Sequence, residues 1–487
     1  MRGNSTNTAY IRPSLNAIAV PIVGEFLLGI SVAMCGLYLA SQTSDAAAGA
    51  FGLTQQVQES LAVLFRILAI GVGIGVTQQL GSNNIAAAKA TALGGLGAST
   101  WVGVMAALWM LFGNGFTLSA LNAPEAVRPI ATAYMMLLAP ALILDAYNLS
   151  MASYLRANLL AKESFMVMVV MHGTHLLLAW LLMLGFWGWS GMGLNGYAIA
   201  FFISRALGVT AHLWFWQSKL ALKPQRQHWW RVPARILKPV LKVGIPGATL
   251  ELCYRLAFLV SLGATARLGV AELATHAYTL QTLKYVSLIS LSIGWACEIM
   301  AGRMVGAGHF KQAFEVVTKG ARSGLIASGT LVLLAALLAP WYMPLFTKDA
   351  NVIRMACTLL WLSVFLELGR VFNMVVLASL RAVSDLHYPL AVSVASIVFI
   401  LGFGSYWFGQ WFGLIGIWCI YVLDECLRGF LMWRRWVKLG WLKNGKKSFR
   451  RLRAERRLSV GSEPAGADAK AMTENRTTLA SVSSVSY

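Results

Sequence analysis

The sequence predicts an all-α polytopic membrane protein with about 12 transmembrane helices arranged in two parallel six-helix lobes. Three observations carry that prediction: an apolar composition, a train of helix-length hydrophobic runs, and a weak internal repeat with an offset of 225 residues. Of 487 residues, 57% are hydrophobic and 12% charged, whereas a soluble chain carries about 25% charged residues. A soluble fold has no place for that much apolar surface. The 18 tryptophans and 45 glycines suit interfacial anchors and close helix contacts in lipid.

A spanning helix needs about 20 predominantly apolar residues. Runs of that length fall at 14–40, 47–77, 91–113, 128–154, 164–186, 191–216, 239–267, 275–301, 320–343, 350–379, 388–409 and 412–433. Residues 1–13 are polar, with no small-residue cleavage site before the first run, so that run is expected to act as its own insertion signal. Positive loops stay on the cytoplasmic side. Lys89, Arg156, Lys162, the basic residues between Lys219 and Lys238, Arg303, Lys311, Lys319 and Arg381 fall after even-numbered runs. The other connections hold Lys348 as their only clear cation, with Arg128 and Arg267 at span edges. This alternation places both termini in the cytoplasm and the chain in the cell inner membrane.

Laid on itself at 225 residues, the chain sets Pro21 on Pro246, Gly81 on Gly306, Asn148 on Asn373, and Leu155-Arg156-Ala157 on Leu380-Arg381-Ala382. Each unit has an even number of runs, so the copies share one orientation about an axis along the membrane normal. The expected organisation is an N-terminal lobe at 1–216, a basic linker at 217–238, a C-terminal lobe at 239–433, and a basic tail from 434 to 487 that turns polar and disordered near 458.

The formal net charge of +21 is concentrated: Arg434 to Arg457 holds eleven Lys/Arg against Glu455. A basic run directly after a membrane helix points to anionic membrane lipid as its partner rather than to nucleic acid. Cys35, Cys253, Cys297, Cys357, Cys419 and Cys426 lie in apolar runs without metal spacing. Nothing implies a cofactor, a metal or an enzyme's nucleophile and base. Gly71-Val-Gly-Ile-Gly75 lacks the lysine of a phosphate loop and reads as helix packing.

Charges inside spans are costly and mark pathways. The candidates include Glu25, Glu59, Arg66, Asp145, Arg205, Glu251, Arg255, Lys284, Glu298, Glu367, Arg370, Glu425 and Arg428. Glu251 with Arg255, Glu367 with Arg370, and Glu425 with Arg428 stand at helical spacing, which permits structural ion pairing. It equally permits an acid poised by a movable cation to bind a coupling ion. Glu251, Glu367, Glu25 and Asp145 are the coupling candidates. Arg255, Lys284, Arg370, Glu59, Asn148 and Asn373 are the substrate-binding ones. The repeat sets Glu59 opposite Lys284 and Asp145 opposite Arg370, so a cavity of mixed charge is expected unless these residues neutralise locally. His172 and His175 share one face of the fifth run and read as a helix contact.

The helix openings Val20-Pro21 and Ile245-Pro246, the exits Gln78 to Asn84 and Arg303 to His309, the segment Ala274-Thr275-His276-Ala277, and the stretch from Glu367 through Asn373 to Asp385 resemble the multidrug and toxic-compound extrusion family. The resemblance implies two lobes around a central cavity and export of small organic substrates by alternating access, coupled to H+ or Na+. Where that family places an aspartate late in the first span, this chain has Met34-Cys35, while Glu25 matches an earlier polar position. The basic side chains leave open a flippase for lipid-linked oligosaccharide, and a non-transporting membrane scaffold is the reading from another class.

Overall fold

The computed structural model describes residues 14–185 and 189–461. The N-terminal lobe is built from α1 (Leu15–Thr43), α2 (Asp45–Gly81), α3 (Ile85–Phe112), α4 (Arg128–Ala157), α5 (Ala161–Leu184) and α6 (Leu194–Leu220). After a short turn of 3-10 helix at Arg226–Trp229, the C-terminal lobe follows with α7 (Ala234–Ala266), α8 (Val270–Gly306), α9 (Phe310–Tyr342) and α10 (Ala350–Ala382).

The apolar stretch His387–Val437 is 51 residues long, about twice what one crossing requires. It is two helices, α11 (387–412) and α12 (414–437), reversed at Gly413, whose φ of 60° and ψ of −146° are non-helical. Such a backbone is accessible to glycine and strained for other residues. The reversal folds α12 back on α11, so that Gly404 abuts Ile420, Gly409 abuts Ile417, and Ser396 donates to Asp424 Oδ1 at 2.6 Å. Residues 396–404 of α11 form a π-helical segment. With that last of 11 long apolar helices counted as two, twelve helices among the described residues are long enough to cross, the number the apolar runs predict.

Local sequence sets the other boundaries. Ser44 alone separates α1 from α2, and its side chain caps α2 by accepting from the Ala47 amide at 3.0 Å. Asn84 and Asp349 cap α3 and α10 in the same way.

The 225-residue repeat is written into the backbone. Positive φ occurs at Asn83 (58°) and Gly308 (81°), after α2 and α8, and again at Leu159 (65°) and Ser384 (64°), after α4 and α10. Each pair is one repeat apart. Within each lobe the fourth helix is central: α4 packs on α2, α3 and α6, and α10 packs on α8, α9 and α12.

The lobes meet where α2 crosses α7 and α8, and where α1 runs along α8. That seam is built on Gly71 against the Val240 backbone, Gly244 against Ile67, Gly81 against Arg303 and Gly306 against Gln78, with Ile18 and Ile22 of α1 in one apolar cluster with Ala296 and Cys297 of α8. Most of these contacts lie toward the end of the bundle that carries the turns after α2, α4, α8 and α10 and the linker 221–233, here named the basic end.

A further helix, α13 (Leu442–Gly461), follows α12 at the basic end, carrying most of the basic run that the sequence assigns to the tail. Residues 462–487 of the expected polar tail lie outside the described residues.

Candidate transport site

Small residues bring the charged faces of α10 and α12 together. Gly369 lies against the backbone of Cys426, and Gly429 lies against the carbonyl of Gly369, an approach that any side chain would block. Glu367, Arg370 and Asn373 on α10 therefore stand beside Asp424, Glu425 and Arg428 on α12.

Glu367 is fully buried. It accepts from Ser290 of α8 at 2.6 Å, from Ser328 of α9, and from Arg370 Nη1 one turn along at 3.3 Å. Arg370 reaches on to Glu425 at 3.8 Å. Asn373 Nδ2 donates to the other oxygen of Glu425 at 2.8 Å. Arg428 bridges Glu425, at 3.2 Å, and Asp424, and Ser396 holds the far oxygen of Asp424. Three carboxylates thus share two guanidinium groups in one buried chain. The chain borders a cavity lined by Arg370, Asp424 and Glu425 together with Tyr254, Phe258, Trp418 and Tyr421.

The N-terminal lobe holds two ion pairs of its own, each a single acid with a single arginine. Glu25 of α1 pairs with Arg156 of α4 at 2.7 Å, and the Arg156 guanidinium sits 5.1 Å from the ring of Trp295 in the other lobe. Asp145 of α4 pairs with Arg205 of α6 at 2.8 Å. Asn148 Nδ2 donates to the Arg205 carbonyl at 2.9 Å, and its oxygen faces His212 Nδ1 at 3.1 Å. His175 packs in an aromatic contact with Tyr197 and Phe201, at 4.6 and 5.3 Å between ring centres.

The pairs expected at helical spacing, Glu367 with Arg370 and Glu425 with Arg428, both form. Glu251 lies on α7 with a side chain outside the described residues, and its expected partner Arg255 stands 3.7 Å from Glu59 across the lobe boundary. The facing of Asp145 toward Arg370 does not form. Each is neutralised inside its own lobe, because α4 packs on α6 and α10 on α12 before either faces the other lobe. Lys284 is exposed on α8, and the cation in ion-pair contact with Glu59 is Arg255.

Arg156 and Arg381, read from sequence as loop cations, instead turn inward at the ends of α4 and α10 and pair with Glu25 and Glu298, the latter at 2.8 Å. Sequence reading also passed over Asp424. Its spacing of four from Arg428, beside Glu425 at three, is the signal that would have found it.

The MatE family model matches this chain twice, over residues 21–181 and 246–405, and the starts of the two matches are one repeat apart. The chain belongs to the MatE family of multi-pass membrane transporters. It is 27% identical over 438 residues to the uncharacterized transporter YisQ of Bacillus subtilis, covering 89% of this chain and 95% of the relative. It is 24% identical to the probable multidrug resistance protein NorM of Agrobacterium fabrum, covering 82% and 90% of the two chains. The fold matches a crystal structure of MATE in the bent conformation with a TM-score of 0.81 at 16% identity, over 89% of this chain and 96% of that one. It matches the Vibrio cholerae transporter VcmN in its bent form at 0.79 and 17% identity, over 89% and 97%.

Proposed function

We propose that this transporter exports small organic compounds across the cell inner membrane in exchange for H+ or Na+, with the basic end and both termini in the cytoplasm and the two lobes opening the cavity alternately to either side. The observation that carries the reading is the excess of one carboxylate over guanidinium in the buried chain from Glu367 to Asp424. An unpaired charge in a low-dielectric interior is costly and is relieved by a proton or a small cation. Binding that ion favours one arrangement of α10 against α12, and releasing it favours another, which is the differential affinity an exchanger needs.

Glu25 and Asp145 each have a dedicated arginine, so they serve the N-terminal lobe as ion-pair partners more readily than as the exchanging acid. Glu251, on α7, is a further coupling candidate. Arg370, beside the cavity that Tyr254, Phe258, Trp418 and Tyr421 also line, is assigned to substrate binding. Asn373 orients Glu425, and Asn148 is its counterpart in the other lobe. Arg255 and Glu59, which meet across the lobe boundary, and exposed Lys284 are assigned to substrate passage. The names of the relatives, which speak of multidrug resistance, support a substrate range of small organic compounds.

The test is export by purified protein in vesicles under pH and sodium gradients imposed separately, with Glu367→Gln, Glu425→Gln and Asp424→Asn. Each keeps the shape and removes one negative charge. Loss of gradient-driven export in at least one variant, with substrate binding retained, supports the assignment. Wild-type rates in all three would remove it.

A further inference from the structure

The helix α13 has two unlike faces. Gly445, Ser448 and Leu452, following Trp441, are buried against the bundle. Lys443, Lys446, Lys447, Arg450, Arg451, Arg453, Arg456 and Arg457 are all exposed, with Glu455 as the helix's acid.

The inner face is fastened to both lobes. Ser448 donates to Gln78 Oε1 of α2 at 3.2 Å and stands 3.3 Å from Ser384 Oγ at the exit of α10. Gln78 Nε2 donates in turn to the Ala382 carbonyl at 2.6 Å and to Ser384 Oγ at 3.0 Å. Two elements from opposite lobes, α2 and the exit of α10, therefore meet at one side chain of α13. Asp385, almost fully buried, receives Arg435 from the end of α12 at 2.9 Å and Asn444 from the start of α13 at 2.9 Å. Phe449 covers Gly308, and Phe310 lies between Trp441 and Phe449, tilted to the first and edge-on to the second. These contacts lie where α2 and α8 cross, so the lobes cannot part at the basic end without breaking the Gln78 junction.

We propose that α13 is a latch on the cytoplasmic closure of the transporter, held in place by anionic phospholipid headgroups that bind its outer face. The inference rests on the cytoplasmic orientation and lobe movement of the preceding reading. Charge complementarity names the occupant. The helix begins five residues after α12 ends, close enough to a spanning helix for its basic face to reach lipid headgroups, and exposed Val437 and Leu439 precede it. A cluster of lysines and arginines in that position is attracted to the anionic leaflet and loses the attraction as salt screens it.

The test uses the full chain in bilayer discs of phosphatidylcholine alone or mixed with phosphatidylglycerol, reading hydrogen exchange over 442–461, and in vesicles of the same lipids, reading export. The variants are the outer-face quadruple Lys446→Gln, Lys447→Gln, Arg450→Gln, Arg453→Gln, whose side chains are exposed, and Ser448→Ala on the inner face. Anionic lipid is expected to slow exchange of α13 about tenfold in the wild type and to slow export several-fold, both reversed by high salt. The quadruple variant is expected to show neither response. Ser448→Ala is expected to exchange faster and export faster in anionic lipid. Equal exchange in the two bilayers overturns the proposal. So does protection without a change in export, because a latch must slow opening. Protection by added RNA and not by lipid also overturns it. If no export occurs under any gradient, the reading of function fails, while the exchange measurement still decides whether lipid holds α13.

Discussion

Gly81 of α2 lies directly on the carbonyl of Arg303 in α8, and one repeat later Gly306 of α8 lies on the carbonyl of Gln78 in α2. The two contacts are the same contact seen from either lobe, so the pseudo-two-fold axis passes through this crossing. A methyl group at either glycine would overlap a backbone oxygen, and backbone cannot rotate aside as a side chain can. Gly81→Ala and Gly306→Ala are each expected to destabilise the closed seam by about 1–3 kcal/mol. Gly263→Ala, where the added methyl meets nothing, is the control. Thermal unfolding in detergent checks this: the two seam variants melt lower and the control does not.

Gly413 is the point where the last apolar stretch becomes two helices. Its φ of 60° with ψ of −146° lies outside the left-handed helical well, in a region open essentially to glycine, and costs an L-residue roughly 1–3 kcal/mol or more. Gly413→Val, whose branched side chain adds to that strain, is expected to lower the yield of folded protein and to loosen the α11–α12 hairpin. Gly413→Asn is expected to be impaired as well, since the tolerance of asparagine for positive φ is confined to the left-handed helical well. Hydrogen exchange over 405–420 compares both with the wild type. Equal protection in all three would mean that the reversal does not need glycine.

The orientation makes its own prediction. Single cysteines at positions 46 and 190, in a cysteine-free background, are expected to react with an impermeant thiol reagent from outside the cell, and one at Lys89 from the cytoplasmic side alone. Labelling of 46 or 190 only from the cytoplasm would invert the topology.

Much of the fold was legible because lipid imposes a simple rule: each crossing must be long, apolar and helical. The one apolar stretch that forms two helices could still be counted correctly, since 51 residues exceed a single crossing and Gly413 marks a break. The repeat was legible through Pro21, Gly81 and Asn148 because those types recur where the backbone needs them. The site was legible only in part. Spacing along one helix predicted Glu367 with Arg370 and Glu425 with Arg428, since both partners are fixed by the same helix. It could not predict that Gly369 would bring α10 onto α12 and join those pairs into one chain with Asp424, nor that Arg156 and Arg381 would turn inward. Those outcomes depend on which helices touch, and no periodicity within one helix carries that information.

Asp145 and Arg205 give a test of local neutralisation. Arg205 is buried and the Asp145 side chain is 27% exposed, so removing one member is expected to cost less than the roughly 3–5 kcal/mol of a fully buried pair, while removing both can be nearly neutral. Arg205 also holds its guanidinium 4.0 Å from the ring of Phe201, so some packing is lost with it. Asp145→Asn and Arg205→Met are each expected to lower stability, and the double variant to recover most of the loss. A double variant as unstable as the sum of the singles would show that the pair is not the reason these charges coexist.

Glu59 and Arg255 are the converse case, an ion pair across the lobe boundary at 3.7 Å with Glu59 exposed and Arg255 half-buried. An exposed pair contributes about 0–1 kcal/mol, too little to hold the lobes together against the packed glycine seam. Its expected role is in passage between states, because α2 and α7 must shift against each other if the lobes move, and this pair then breaks and reforms. Glu59→Arg sets two cations against each other across the boundary, and Arg255→Glu sets two anions. Each is expected to leave the melting temperature within a few degrees of wild type and to reduce the export rate. The double reversal is expected to restore export, since the attraction is regained with the signs exchanged. Full export in both single reversals would mean the lobes do not pass through this contact. Failure of the double reversal to recover would mean that each charge acts on the substrate rather than on its partner.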